Sequence, residues 1–313
     1  MKVVFFGTDR FGIPCLERLI ASRHQLIRVV TTPETLKGRH RLSTPSEVKV
    51  WAIAHGLEPL LMQKKPSPES LSALSQLQAD VFLVASFGVI LPRSILEMPK
   101  TAAINAHPSL LPKYRGPSPV PAALLAGDTV TGVSIIRITE RLDAGDVMLR
   151  RELPIDPQED GDTLERRLAG ASADMALEAL DLLESNKAVF CSQDEALATY
   201  APKIKKESGR IDWTRPALEL VNRVRAMRPW PGSFCFYKGK RLIVLKARVL
   251  EGRPLPPGTV CGQILEAASG GELIAAAADE AILMELVQRE GKKPLTCAEF
   301  LKGFHVDAGS RFD

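Results

Sequence analysis

The sequence predicts an α/β fold, a parallel sheet flanked by helices, followed by a small antiparallel β barrel. Three observations carry this. The first half alternates short apolar runs with helical periods. The last third holds short strand-like runs at close spacing, punctuated by GK, PPG and SGG. Between them, 186–210 lose periodicity, and 200–210 (YAPKIKKESGR) form a polar, basic connector. At 313 residues the chain is long enough for roughly two domains of about 150 residues each.

Lys2–Phe6 is a short apolar run broken at Gly7, the pattern of a buried strand. Ile13–Ala21 carries apolar residues at helical spacing, and Leu26–Val30 reads as a second strand. Ser46–His55 has a helical period with Ser46 as N-cap. Val81–Ala85 gives a third strand and Thr101–Ile104 leads a fourth. Gly132–Ile138 and Val147–Arg150 read as strands, and Thr163–Leu183 as a long amphipathic helix capped by Asp162. Beyond the connector come a helix, Pro216–Met227, and strands Phe234–Tyr237, Arg241–Val249, Thr259–Leu265, Glu272–Ala276 and Ala281–Val287.

With 45% hydrophobic and 25% charged residues, the composition excludes a disordered or collagen-like chain. The longest uncharged apolar stretch, Val81 to Pro92, is shorter than the roughly 18–20 residues of a membrane span. A charge at Asp9 interrupts the N-terminal apolar run, so no secretory leader is expected. The five cysteines, Cys15, Cys191, Cys235, Cys261 and Cys297, are odd in number and scattered. That is neither a disulfide framework nor a zinc pattern, and it fits a cytosolic protein without metal. Charge is uneven. Residues 1–202 hold 22 basic and 24 acidic side chains, whereas 203–251 hold 13 against 4, a net of +9. Such a run is either a solvated face or a footprint for a polyanion.

Only three asparagines occur, and Asn105 stands two residues before His107 at the end of an apolar run. In an extended segment both side chains project from one side, at the strand end where open α/β sheets place their ligand crevice. Taken alone, the pair reads first as a capping Asn and a satisfied surface His. Asp143 and Asp146 lie in LDAGD, which also reads as a simple Asp-Gly turn, with Gly145 giving backbone freedom. If Asp143 meets His107, the trio suits attack on a carbonyl. Asn105 would donate to the developing oxyanion, and His107 would supply charge or a proton. No Ser or Cys nucleophile is needed when the substrate brings its own amine. Gly7 to Gly12 is not a dinucleotide fingerprint, and no P-loop, HExxH or GxSxG is present. The 31–45 loop, with Lys37, Arg39, His40 and Arg41, is far longer than the usual 2–6 residues between strand and helix.

These segments resemble the methionyl-tRNA formyltransferases, a branch of the folate-dependent formyltransferase family. INAHPSLLPKYRG (104–116) is similar to the family's signature, and AGDTVTGVSII and LDAGD (126–146) continue it in order. VASFGVILP (84–92), YAPKIKKESGRIDW (200–213), RAMRPWPGSF (225–234) and QREGKKPLTCAEFLKG (288–303) extend the resemblance over nearly the whole chain.

The resemblance implies an N-terminal Rossmann-like catalytic domain over 1–188, a linker over 189–206 and a C-terminal OB-like tRNA-binding barrel over 207–313. It implies transfer of the formyl group of 10-formyltetrahydrofolate to the α-amino group of methionine on initiator methionyl-tRNA. The route is direct amine attack through a tetrahedral intermediate, in cytoplasmic translation initiation. Asn105, His107 and Asp143 match the catalytic trio. Ser86, Phe87, Gly88, Val89, Ile90, Leu91 and Pro92 match the loop that receives the pterin through backbone groups. Ser109, Leu110, Leu111, Pro112 and Asp146 complete the folate site. The 31–45 insertion would enter the tRNA acceptor end through Arg39, with Lys37 and Arg41 beside it. The family usually follows its Gly-Arg pair with Gly and two lysines, where this chain has His40, Arg41 and Leu42. Lys203, Lys205, Lys206 and Lys240 would neutralise tRNA phosphates. No metal and no membrane are implied, and a monomer is expected. A related sugar-amine formyltransferase or formyl-folate hydrolase would share 104–146 without needing the basic loop or barrel. A non-catalytic RNA-binding protein on the same fold would not need the trio.

Overall fold

The computed structural model describes residues 1–37 and 42–313. Two units separate within it. One comprises Met1–Pro119, Val130–Pro154 and Glu165–Pro202, the other Val120–Thr129, Ile155–Leu164 and Lys203–Asp313.

In chain order the first elements are β1 (Lys2–Phe6), α1 (Ile13–Ile20), β2 (Gln25–Thr31), β3 (Thr35–Lys37), β4 (Leu42–Thr44), α2 (Glu47–Ala54), β5 (Leu60–Leu61), α3 (Pro68–Gln76) and β6 (Val81–Val84). Then come α4 (Arg93–Leu96), β7 (Ala102–His107), α5 (Pro119–Ala126), β8 (Val130–Arg137), β9 (Val147–Pro154) and α6 (Gly161–Glu184). Seven strands form one sheet in the order β5-β2-β1-β6-β7-β8-β9. Pairing is parallel from β5 to β7 and antiparallel at β7–β8 and β8–β9. The continuous apolar runs explain the middle of this sheet. β6 is buried along its whole length and β1 at all but its first residue, as strands covered on both faces must be.

The helices start where the sequence offers caps. Ser46 is extended and its hydroxyl accepts from Lys49 N at 3.0 Å, as expected. Helix α6 begins earlier than expected. Asp160, rather than Asp162, takes the Thr163 N–H at 3.0 Å, and Asp162 lies inside the first turn. The long 31–45 segment is not loop throughout: β3 and β4 pair antiparallel. Helix α3 was not apparent in the sequence, because its polar, serine-rich face leaves only Ser70 and Leu74 buried.

In the second unit α7 (Ala217–Ala226) precedes β10 (Ser233–Tyr237), β11 (Lys240–Val249), β12 (Ile264–Ala267), β13 (Leu273–Ala276), β14 (Ala281–Arg289), β15 (Leu295–Thr296) and α8 (Cys297–Gly303). The sheet runs β10-β11-β14-β13-β12, with β15 on β14, and curls as an antiparallel half-barrel. Its core gathers Trp213, Leu220, Tyr237, Val244, Met284, Phe300 and Phe312. Strand β12 starts five residues later than the sequence pattern indicates, because two turns stand there instead, closed by Thr259 N on Pro256 O and by Gln263 N on Val260 O. Among the described residues, no helix is long and apolar enough to cross a membrane.

Candidate functional site

Strand β1 sends the chain to β2 on one side, while β6 and β7 lie on the other, so the strand order reverses at the C-terminal end of β1. The segments leaving β1 and β6 meet there. Ala85 N donates to Phe6 O at 2.9 Å and Thr8 N to Ser86 O at 2.9 Å. Next to them β7 delivers Asn105, in register with Val84 on β6 and Ile136 on β8.

Asn105 is half-buried, and among the described residues its amide has no hydrogen-bond partner. His107 is buried, 4% exposed. Its Nε2 lies 3.0 Å from the Tyr114 carbonyl oxygen. A carbonyl can only accept, so Nε2 carries a proton, and Nδ1 is the edge left facing Asp143 Oδ2 at 3.7 Å. Asp143 holds a left-handed backbone, φ +48°, and its Oδ2 accepts the Gly116 N–H at 2.8 Å. The imidazole and carboxylate therefore do converge, and the simple Asp-Gly turn is not the whole account of LDAGD. Gly145 is needed for a different reason than backbone freedom. A Cβ there would stand 1.8 Å from the Arg137 carbonyl oxygen. Asp146, in the same turn, accepts the Arg137 N–H on its carbonyl at 2.9 Å.

The 86–92 segment leaves mostly backbone for a ligand. The Phe87 ring packs edge-on against Phe6, and Leu91 joins the same core. Ser86, with φ +52°, gives its hydroxyl to Asp9 Oδ2 at 2.5 Å. Burial raises the Asp9 carboxyl above its usual range, against the lowering by Ser86 and the Phe11 N–H. Gly88 and Pro92 are exposed, Val89 is half-buried and Ile90 is 77% exposed. Thr8 Oγ1, beside Ser86, is buried without a partner among the described residues.

The 109–112 turn is built from inside. The Ser109 hydroxyl donates to Lys113 O at 2.6 Å, and Ser134 Oγ donates to Ser109 O at 2.8 Å while accepting from Leu111 N. Leu111 is buried with Ile136 and Val147, Leu110 is half-buried, and Leu111–Pro112 is cis. These residues set the path of the backbone toward Tyr114 and Gly116, the two groups that hold His107 and Asp143.

Of the basic residues, Arg39 and Arg41 lie outside the described residues, and Lys37 ends β3. Lys203, Lys205, Lys206 and Lys240 are exposed in the second unit, with Lys240 Nζ 5.6 Å from the Phe304 ring centre. No thiol is poised as a nucleophile among the buried cysteines. Burial pushes Cys15 and Cys297 up to about 12 and Cys235 higher. The cluster His24, Asp181 and Glu184 could ligate a cation by geometry, but Arg23 and the amino terminus already occupy its carboxylates.

Sequence reasoning missed Arg115, Gln193 and Glu195. The Arg115 guanidinium is fully buried and forks onto Glu195 at 3.0 and 3.2 Å. Hydrogen bonds from Arg115 and then Arg141 hold the Glu195 carboxyl at about 2. The available signal was Arg115 itself, one of two cations, with Lys113, inside an otherwise apolar and turn-forming signature.

Two family models match: formyl transferase over residues 1–180 and the formyl transferase C-terminal domain over 203–305. A methionyl-tRNA formyltransferase of Geobacter sulfurreducens is 39% identical over 311 residues, covering 99% of this chain and 96% of that one. Among solved structures, a methionyl-tRNA formyltransferase from Clostridium thermocellum aligns with a TM-score of 0.55 at 16% identity, over 81% of this chain and 95% of that chain. An N-formyltransferase from Helicobacter canadensis, solved with folinic acid and dTDP-3-aminofucose, aligns with a TM-score of 0.68 at 16% identity, over 92% and 99%.

Proposed function

The chain belongs to the formyl transferase family, and from that premise we propose that it formylates the α-amino group of methionine on initiator methionyl-tRNA, using 10-formyltetrahydrofolate. The observation that carries the reading is the convergence at the end of β7: an Asn105 amide without a partner among the described residues, and His107 3.7 Å from Asp143.

The residues fit a folate. A pterin needs in-plane hydrogen-bond groups between apolar faces. The 86–92 backbone, with exposed Ile90 and half-buried Val89, offers both. The folate, when bound, supplies the formyl carbon as electrophile. The Asn105 amide donates to the oxygen on which negative charge develops. His107 keeps its Nε2 proton on the Tyr114 carbonyl, and Nδ1 is where the ring gains and loses a proton. Asp143 supports positive charge on that ring. Because the incoming amine is the nucleophile, the site needs no activated Ser or Cys.

We assign residues 1–188 to the chemistry and 207–313 to tRNA binding, joined by 189–206. Arg39 of the 31–45 insertion, with Lys37 and Arg41, meets the acceptor end. Lys203, Lys205, Lys206 and Lys240 neutralise phosphates. The protein acts as a monomer in the cytoplasm. The test is direct. Charged initiator tRNA and 10-formyltetrahydrofolate are mixed with the protein, and formyl-methionine on the tRNA is measured against transfer to a nucleotide-linked amino sugar and against hydrolysis. Formylation of the tRNA at least a hundredfold more efficient than either supports the reading. Comparable or faster sugar transfer or hydrolysis overturns it.

A further inference from the structure

We propose that Gln193 is a positioning residue for the formyl-transfer site, the brace that sets where Asp143 stands relative to His107. The inference rests on the functional reading above and deepens it. Its basis is one side chain whose whole hydrogen-bonding capacity is used between the two loops of the site. Gln193 Nε2 donates to the Asp143 carbonyl at 2.8 Å and to the Gly145 carbonyl at 2.7 Å. Its Oε1 accepts from Arg115 Nε at 3.1 Å and Nη2 at 2.8 Å. Carbonyl oxygens only accept and a guanidinium only donates, so a single orientation of the amide satisfies all four partners. An amide on a glutamine-length stem is required. Glutamate would set a second acceptor against two carbonyls, and methionine would offer nothing to either side.

The two loops are the ones that hold the imidazole. Arg115 stands between Tyr114, whose carbonyl takes the His107 Nε2 proton, and Gly116, whose N–H holds Asp143 Oδ2. On the other side Asp143 sits at φ +48°, a conformation that persists in a non-glycine residue only when its surroundings impose it. The bond from Gln193 to its carbonyl is one such imposition. Arg115 is itself fixed by burial and by its bidentate pair with Glu195. The surrounding chain is tied to the same loops: Val147 bridges Cys191, Arg115 bridges Tyr200, and Tyr114 N donates to Thr199 Oγ1 at 2.8 Å. Residues 191–201 thus form a wall of the site as well as joining two regions.

The test compares Gln193→Glu and Gln193→Met with the parent protein. Glutamate keeps an acceptor for Arg115, which preserves the fold while pushing the 143–145 turn away. Two measurements are made on each variant. Hydrogen exchange of the Gly116 amide, followed by NMR, reports the Asp143 contact without any substrate. Transfer assays give kcat and the KM for 10-formyltetrahydrofolate separately. We expect Gly116 exchange to accelerate at least tenfold, kcat to fall at least tenfold, and KM to stay within threefold. A structural role alone would lower the thermal midpoint and leave kcat at 15 °C and Gly116 exchange unchanged, which overturns the proposal. So does a fall in kcat without faster Gly116 exchange, or a KM that rises in step with it. An inactive parent protein would instead overturn the functional reading, which the amide measurement does not depend on.

Discussion

Replacing Asp143 with Asn removes one charge and little else. The amide oxygen can still accept the Gly116 N–H that Oδ2 takes at 2.8 Å, so the turn keeps its anchor. What is lost is the attraction that builds between the carboxylate and the His107 ring, 3.7 Å away, when that ring takes a proton during transfer. At that distance Coulomb's law gives about 4.5 kcal/mol for an effective dielectric near 20, and about 1 kcal/mol for bulk water. The side chains are 5% and 13% exposed, which places the pair nearer the first limit. Each 1.36 kcal/mol on the barrier is tenfold in rate. Asp143→Asn should therefore slow transfer by about a hundredfold to a thousandfold. The assay is single-turnover formylation of charged initiator tRNA with both substrates saturating, and a thermal melt confirms the fold. A rate within threefold of the parent, in a protein melting within 2 °C of it, would refute electrostatic support of His107 by Asp143.

Four further outcomes are expected. Asn105→Ala should lower kcat by about a hundredfold with little change in folate KM, the size of effect seen when one oxyanion donor is removed; a steady-state assay checks it. Gly145→Ala forces a Cβ against the Arg137 carbonyl and strains the Gln193 bond, costing about 2–4 kcal/mol, or roughly 5–15 °C in a melt followed by circular dichroism. The Glu195 carboxyl is held at about 2 by Arg115 and Arg141, below its ordinary 4.5, so its contribution to stability is complete above about pH 4.5 and is lost as pH falls toward 2. Urea midpoints should decline across that window, less steeply in Glu195→Gln. Replacing Lys205 and Lys240 with Ala should flatten the log–log dependence of tRNA affinity on salt by about one to two units, read from filter binding at several ionic strengths.

The sheet was legible because burial on both faces leaves nothing but apolar residues: VVFF in β1 and VFLV in β6 admit few other readings. Ser46 was legible as a cap because its chemistry is local. Asp160 and Asp162 are two residues apart with the same side chain, and only the backbone turn between them decides which one caps α6. Helix α3 escaped because only Ser70 and Leu74 of its nine residues are buried, too few for a periodic signal. At the site, spacing along one strand was enough to pair Asn105 with His107. Asp143 came from the resemblance and from its chemistry, since nothing in a turn announces which residue lies across from it. Gln193 left no trace at all. Its partners are 78 and 50 residues away, in a stretch without periodicity, and a glutamine there has the look of any surface residue.

The bonds from Gln193 have a temporal side. Chains are made from the N-terminus, so Asn105, His107 and Asp143 all emerge well before the residue that ties their loops together. Gln193 follows Asp143 by 50 positions, and Tyr200, which pairs with Arg115, follows later still. A chain ending near residue 188 would hold Asn105, His107 and Asp143 while lacking the amide that bonds to the Asp143 and Gly145 carbonyls. The bonds from Gln193 and Tyr200 to these loops can therefore form only after Asn105, His107 and Asp143 have all been made.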